Sequence, residues 1–244
     1  GDNVPRGTFF YGILKKEVLY CRKDAKKRYS SQDTHSQKCT FRVNCNKIML
    51  FSRNEDIMGR IIAVANQKGG VGKTTTTTNV GFELARKGYK VLLADLDPQA
   101  TLTAALGVTD PEETVFSALQ GAVDGKETRL PWIRLQENIS LCPSCRKMAD
   151  AEYLLQNEYG RENFLKELAA RTDGGYDFVL LDCPPAVGLI TVNALVAATD
   201  LIIPVQPEVA SLYGLVSILD TVAVIQRKIC LLYTSDAADD LIGV

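Results

Sequence analysis

The sequence predicts an α/β fold, a mostly parallel sheet with helices on both faces. Three observations carry this prediction. Short runs recur that are apolar at every position, as strands buried inside a parallel sheet must be. Between them lie stretches with the helical period. The first run passes into a glycine-rich loop and then a helix, the order of a right-handed βαβ unit.

Residues 60–66 (R-I-I-A-V-A-N) are the first expected strand, and residues 67–75 (Q-K-G-G-V-G-K-T-T) the loop. A helix then runs through Val80, Phe82, Leu84 and Ala85 to about Lys87, with Gly88 closing it as a C′ residue. Residues 90–95 (K-V-L-L-A-D) are a second buried strand. A strand over 139–142 and helices over 148–156 and 161–171 follow, the latter with Phe164, Leu165 and Leu168 on its apolar side. Strands at 178–182 and 201–205 flank a helix at 189–198, and a final helix covers 211 to about 227. An open sheet of this kind binds its ligand at the carboxyl ends of the strands.

The 244 residues suffice for one large α/β domain or two small ones. With 46% hydrophobic and 23% charged residues the chain has an ordinary globular composition. The net charge of -1 points to neither a nucleic-acid nor a membrane partner. No apolar run approaches the roughly 20 residues of a membrane span, and no secretory signal pattern opens the chain. Seven irregularly spaced cysteines suit reduced thiols in a cytoplasm.

That average hides an asymmetry. Residues 1–57 carry 12 basic and 6 acidic residues, net +6, leaving 16 basic and 23 acidic, net −7, for the remainder. Three readings of this basic leader compete. The cluster from Arg22 to Arg28 suits a nucleic-acid-binding arm. His35, Cys39 and Cys45 offer three metal ligands, but without paired Cys-x-x-Cys spacing. The favoured reading is upstream DNA translated from too early a start, because Met58 directly precedes the first strand and loop. Residues 3–8 could be encoded by TGTTCCACGTGGAACA, a palindrome resembling centromere-like sites near partition genes.

Within the loop, Gly72-Lys73-Thr74 supplies the end of G-x-x-x-x-G-K-[ST], while Gln67 stands where the first glycine is expected. Gly69, Gly70 and Gly72 allow a tight turn whose N–H groups face phosphate oxygens. The N-terminus of the following helix adds partial positive charge. Lys73 is expected to reach the β- and γ-phosphates of ATP and the Thr74 hydroxyl to ligate Mg²⁺. Thr75 is expected at the α-phosphate.

From Lys68 to Thr75 (K-G-G-V-G-K-T-T), the loop resembles the deviant Walker A motif of the ParA/MinD ATPases, a P-loop NTPase family, with its additional signature lysine. Residues 95–100 (D-L-D-P-Q-A) resemble its second motif, and residues 182–185 (D-C-P-P) its Walker B motif. Residues 188–195 and 204–207 continue the likeness, which covers about 58–229. D-x-D-P-Q and D-C-P-P point to the partition branch, called Soj or ParA.

The resemblance implies roles residue by residue. Residues Lys68, Gly69, Gly70, Val71, Gly72, Lys73, Thr74 and Thr75 would hold the nucleotide. Lys68 would cross the interface of an ATP-sandwich homodimer to the partner's phosphates. Asp97 would orient the attacking water, so that Lys68, Lys73 and Asp97 form the catalytic set. Thr74, Asp95 and Asp182 would support Mg²⁺, directly or through its waters. The family implies slow ATP hydrolysis stimulated by a ParB-like protein, non-specific DNA binding by the ATP dimer, and a cytoplasmic, nucleoid-associated location. A MinD-like membrane switch needs a C-terminal amphipathic helix, and Pro98-Gln99 argues against it. A reductase like the nitrogenase iron protein needs cluster cysteines, and Cys183 lies too close to Asp182 to match.

Two features stand outside this pattern. Cys142-Pro143-Ser144-Cys145 is one Cys-x-x-Cys without a second pair, read as an ordinary strand-to-loop junction; Cys183 is read as a small, partly buried residue. Residues 230–240 (C-L-L-Y-T-S-D-A-A-D-D) resemble the translation of a transposase sequencing adapter. On that reading residues 230–244 are foreign, and the family's later strands and most of its DNA-binding surface are missing. The expectation is an incomplete domain over 58–229 with an uncovered sheet edge, poor solubility or weak nucleotide affinity.

Overall fold

The computed structural model describes residues 17–22, 59–205 and 209–228. Its elements run β1 (Glu17–Arg22), β2 (Arg60–Val64), α1 (Lys73–Arg86), β3 (Val91–Asp95), α2 (Thr101–Ala105), α3 (Val115–Val123), β4 (Ile133–Gln136), β5 (Ile139–Cys142), α4 (Ala151–Leu155), α5 (Phe164–Ala170), β6 (Phe178–Asp182), α6 (Leu189–Ala197), β7 (Asp200–Val205) and α7 (Val209–Lys228). They form one seven-stranded sheet in the order β1-β7-β2-β6-β3-β5-β4. Its five inner strands are mutually parallel, and β1 and β4 run antiparallel at the two edges.

The inner strands are apolar on both faces because both faces are covered. Ile62, Val64, Leu93 and Leu180 pack with Leu84 of α1 and Leu102 of α2. On the opposite face Ile61, Ala63, Leu92 and Leu181 pack with residues of α3 to α7, among them Leu119, Leu155, Leu168, Leu195 and Ile218. Most of α6 is buried, including Asn193. The Asn193 side chain donates to the carbonyls of Arg161 (2.7 Å) and Leu189 (3.0 Å) and accepts from Leu165 N–H (3.2 Å). A buried amide with these bonds costs little and ties α6 to the start of α5.

The strands joined by α1 are parallel in one sheet as expected, and β6 lies between them, an order the sequence left open. Several expectations need correction. The expected helix at 148–156 is a 3₁₀ turn, Arg146–Asp150, followed by the short α4. The helix expected from 161 begins at Phe164, after Gly160 turns at φ 64°. Helices α2 and α3 and the exposed, bulged strand β4 were not anticipated. In the whole chain β1 pairs along the outer edge of β7 from Glu17↔Val205 to Arg22↔Asp200, whereas the uncovered edge was expected of residues 58–229 alone. His35, Cys39, Cys45, most of the basic cluster and the adapter-like segment lie outside the described residues. No described helix is long and apolar enough to cross a membrane.

Candidate functional site

Parallel pairing sets the site. Val64, Asp182 and Asp95 stand in register at the carboxyl ends of β2, β6 and β3, with Val64↔Asp182 and Asp95↔Asp182 as direct pairs. The insertion of β6 therefore places two carboxylates side by side, both fully buried, where the loop leaves β2.

The loop enters over Asn66, which sequence reasoning left unassigned. Its buried side chain donates to Pro204 O (2.6 Å) on β7 and accepts from Lys68 N–H (3.0 Å), tying the entry of the turn to the neighbouring strand. Val71 is buried completely and anchors the loop from beneath. Gly70 and Gly72 take φ 72° and 93°, conformations that exclude most other residues, whereas Gly69 has no such requirement. A Cβ added at Gly69 or Gly70 would meet nothing within 4 Å, so the turn is open beside these two residues. Helix α1 begins at Lys73 with no side-chain cap and no acidic residue in its first turn. Its leading N–H groups and partial positive charge are left for an anion.

Lys73 is only 8% exposed, and its ammonium donates across the turn to Lys68 O at a long 3.4 Å. Burial lowers its pKa, while the charges of Asp182 and Asp97 act in the opposite sense. Asp182 accepts from the Thr74 hydroxyl (2.7 Å) and the Thr77 hydroxyl (3.3 Å). Thr77 was missed; it sits three residues after Thr74, on the same face of α1. Burial pushes the Asp182 carboxyl up to about 7, with nearby Asp95 adding to the rise and the hydroxyl bonds and Lys73 opposing it.

Asp95 has a different environment. One oxygen accepts from Thr103 N–H (2.8 Å) and Thr103 hydroxyl (2.7 Å), the other from Asp97 N–H (3.1 Å). Its pKa is raised by burial in spite of these bonds. Asp97 itself is half-buried on the following loop, where its side chain accepts from Gln99 N–H (2.9 Å). Thus Lys73, Thr74 and Asp182 converge directly, Asp97 lies within electrostatic reach of Lys73, and Asp95 faces the Asp97 loop. Lys68 is half-buried at the mouth of the turn and Thr75 is exposed. Cys142 and Cys183 are both buried, Cys183 more completely than expected, and burial raises both thiols. Neither is poised as a thiolate.

The chain matches the family model described as AAA domain over residues 59–232, most of its length. It is 42% identical over 178 residues to the sporulation initiation inhibitor protein Soj of Bacillus subtilis, covering 70% of this chain and 68% of that protein. The chain belongs to the ParA/Soj-type partition ATPases. Among solved structures, this partition ATPase resembles the Mycobacterium smegmatis protein described as cobyrinic acid a,c-diamide synthase with bound ADP and magnesium. That match has a TM-score of 0.64 and 41% identity, and covers 70% of this chain and 69% of that one. It also resembles a plasmid partition protein of Borrelia burgdorferi bound to AMPPNP, with TM-score 0.59 and 26% identity over 69% of this chain and 72% of that one.

ATP and Mg²⁺ are the cofactors this family fold implies, and the residues present fit them. The open turn, the uncapped start of α1 and a buried lysine suit a polyphosphate, and a threonine hydroxyl beside a buried carboxylate suits a hard divalent cation.

Proposed function

We propose that this chain is an ATP-driven dimerising switch for chromosome or plasmid partition. One observation carries the reading: the Lys68–Thr75 turn opens over a buried lysine, with the Thr74–Asp182 pair and the Asp97 loop beside it. Backbone N–H groups of the turn and the Lys73 ammonium hold the β- and γ-phosphates, and Lys73 exchanges its weak bond to Lys68 O for a phosphate oxygen. Thr74 and Asp182 would hold Mg²⁺, through the hydroxyl and the carboxylate that already meet at 2.7 Å. Held there, Mg²⁺ would supply positive charge to the phosphates. Asp95 acts behind this shell, since its oxygens are committed to Thr103 and Asp97. Asp97 orients the attacking water, and Lys68 reaches the nucleotide of a second copy, so that dimerisation follows ATP.

In this reading the ATP dimer binds DNA without sequence preference on the nucleoid, and a ParB-like partner stimulates hydrolysis and resets it. A corrin-amidating activity, as the M. smegmatis description would suggest, is disfavoured because relatives of equal similarity are named for sporulation control and partition. The test is ATP-dependent co-sedimentation with DNA. Lys73→Ala is expected to weaken ATP binding on the order of 100-fold and abolish co-sedimentation. Lys68→Ala is expected to bind ATP but not dimerise. ATP-dependent DNA binding that survives Lys73→Ala would sink the role of the turn.

A further inference from the structure

The loop bearing Asp97 is tied to a strand end that the family motifs do not include. Ser144, 1% exposed just beyond β5, donates its hydroxyl to Asp97 O (2.7 Å). Its backbone N–H donates to the Thr103 hydroxyl (3.0 Å), and that hydroxyl donates onward to Asp95 (2.7 Å). Asp95 in turn accepts from Asp97 N–H (3.1 Å). The circuit closes on itself: Asp95, Thr103, Ser144 and the backbone on both sides of Asp97. Asp95, Thr103 and Ser144 are all buried, so the bonds among them lie where water cannot easily replace them, and the two bonds to Asp97 are partly buried. The circuit also has something to restrain. Ala100, which donates its N–H to Asp97 O (2.9 Å), sits at φ 49°, a left-handed conformation a non-glycine residue keeps only when its surroundings impose it.

We infer that Ser144 and Thr103 are positioning residues for Asp97, fixing its peptide against the end of β3 so that its carboxylate keeps one place relative to the phosphate turn. This rests on the reading of Asp97 as the group that orients water. The residues belong to separate elements, and none of their bonds runs to the turn itself. Their loss therefore affects turnover and leaves nucleotide binding in place.

The experiment uses the whole chain. In Ser144→Ala, the amides of Asp97, Gln99 and Ala100 exchange with deuterium about fivefold faster, as loss of one hydrogen bond implies, while those of 67–75 keep their wild-type rates. With ATP, kcat falls about tenfold or more and KM stays within about twofold. Thr103→Val, which removes the relaying hydroxyl, behaves like Ser144→Ala, whereas Thr103→Ser, which keeps it, behaves like wild type; this pair carries the test if Ser144→Ala does not fold. In an Asp97→Ala background, Ser144→Ala costs no further turnover. Unchanged exchange at Asp97, Gln99 and Ala100 in both disrupting variants, or a loss of turnover that persists without the Asp97 carboxylate, overturns the inference. Full hydrolysis by Asp97→Ala alone instead overturns the assigned role of Asp97, and exchange still reports whether the circuit holds its loop.

Discussion

At the scale of single residues, Asp182 governs how the metal-free site responds to pH. Its carboxyl stands at about 7 in the folded chain against an ordinary 3.8, because burial penalises the charge more than Thr74, Thr77 and Lys73 stabilise it. A raised folded-state pKa means that its contribution to stability is present below about 4 and is lost as pH rises through about 7. Asp95, also raised, acts in the same direction. In chelator, stability is therefore expected to fall by up to about 1.4 kcal/mol per pH unit from this one group across that window. Urea denaturation at pH 5.5 and 7.5 measures it. Asp182→Asn is expected to flatten the dependence, and an unaltered slope in that variant would remove Asp182 as the cause. The motif around Asp182 was legible in the sequence. Its partnership with Thr77, and the roles of Thr103 and Ser144, were not, because a Ser or Thr outside a motif such as G-K-T carries no signal until the fold brings it to a partner.

At the scale of elements, α1 holds the phosphate turn in place by lying close to the sheet. A Cβ on Gly81 would come within 2.5 Å of the Leu93 side chain on β3, which is itself fully buried. Gly81→Val is expected to cost about 1–3 kcal/mol through overpacking and to lower ATP affinity as the helix start shifts. Thermal melting and nucleotide titration check both parts, and a variant with wild-type values would mean that Leu93 yields freely. Long, strongly apolar elements were readable: β2, β3, β5, β6 and β7 fall within a residue or two of their expected places. The short α2 and the exposed hairpin strand β4 escaped because neither has an apolar run long enough to show a period. The helix expected at 148–156 broke because its first turn tightens into 3₁₀ geometry after Cys145.

For the whole molecule, both sheet edges end in antiparallel strands, and the edge beside β7 is closed by β1 from the basic leader. Removing that strand leaves a row of unpaired backbone groups next to a fully buried strand, a template for association. A chain begun at Met58 is expected to form larger species in sedimentation velocity than the chain with its leader. Equal behaviour of the two would show that β1 does not protect the edge. The chain spans about two thirds of the B. subtilis relative, so dimerisation, DNA binding and response to a ParB-like partner belong to the proposed function.

The sequence by itself determined the α/β class, the phosphate turn and the partition-type motifs, because these depend on local pattern: apolar runs, glycines at fixed spacing, a lysine and a hydroxyl at a helix start. Only the tertiary structure decided that β6 enters between β2 and β3, and so that Asp95 and Asp182 are neighbours. It also decided that Ser144 closes a circuit around Asp97. Strand order and buried hydrogen bonds join residues tens of positions apart, and no local pattern records which of them will meet.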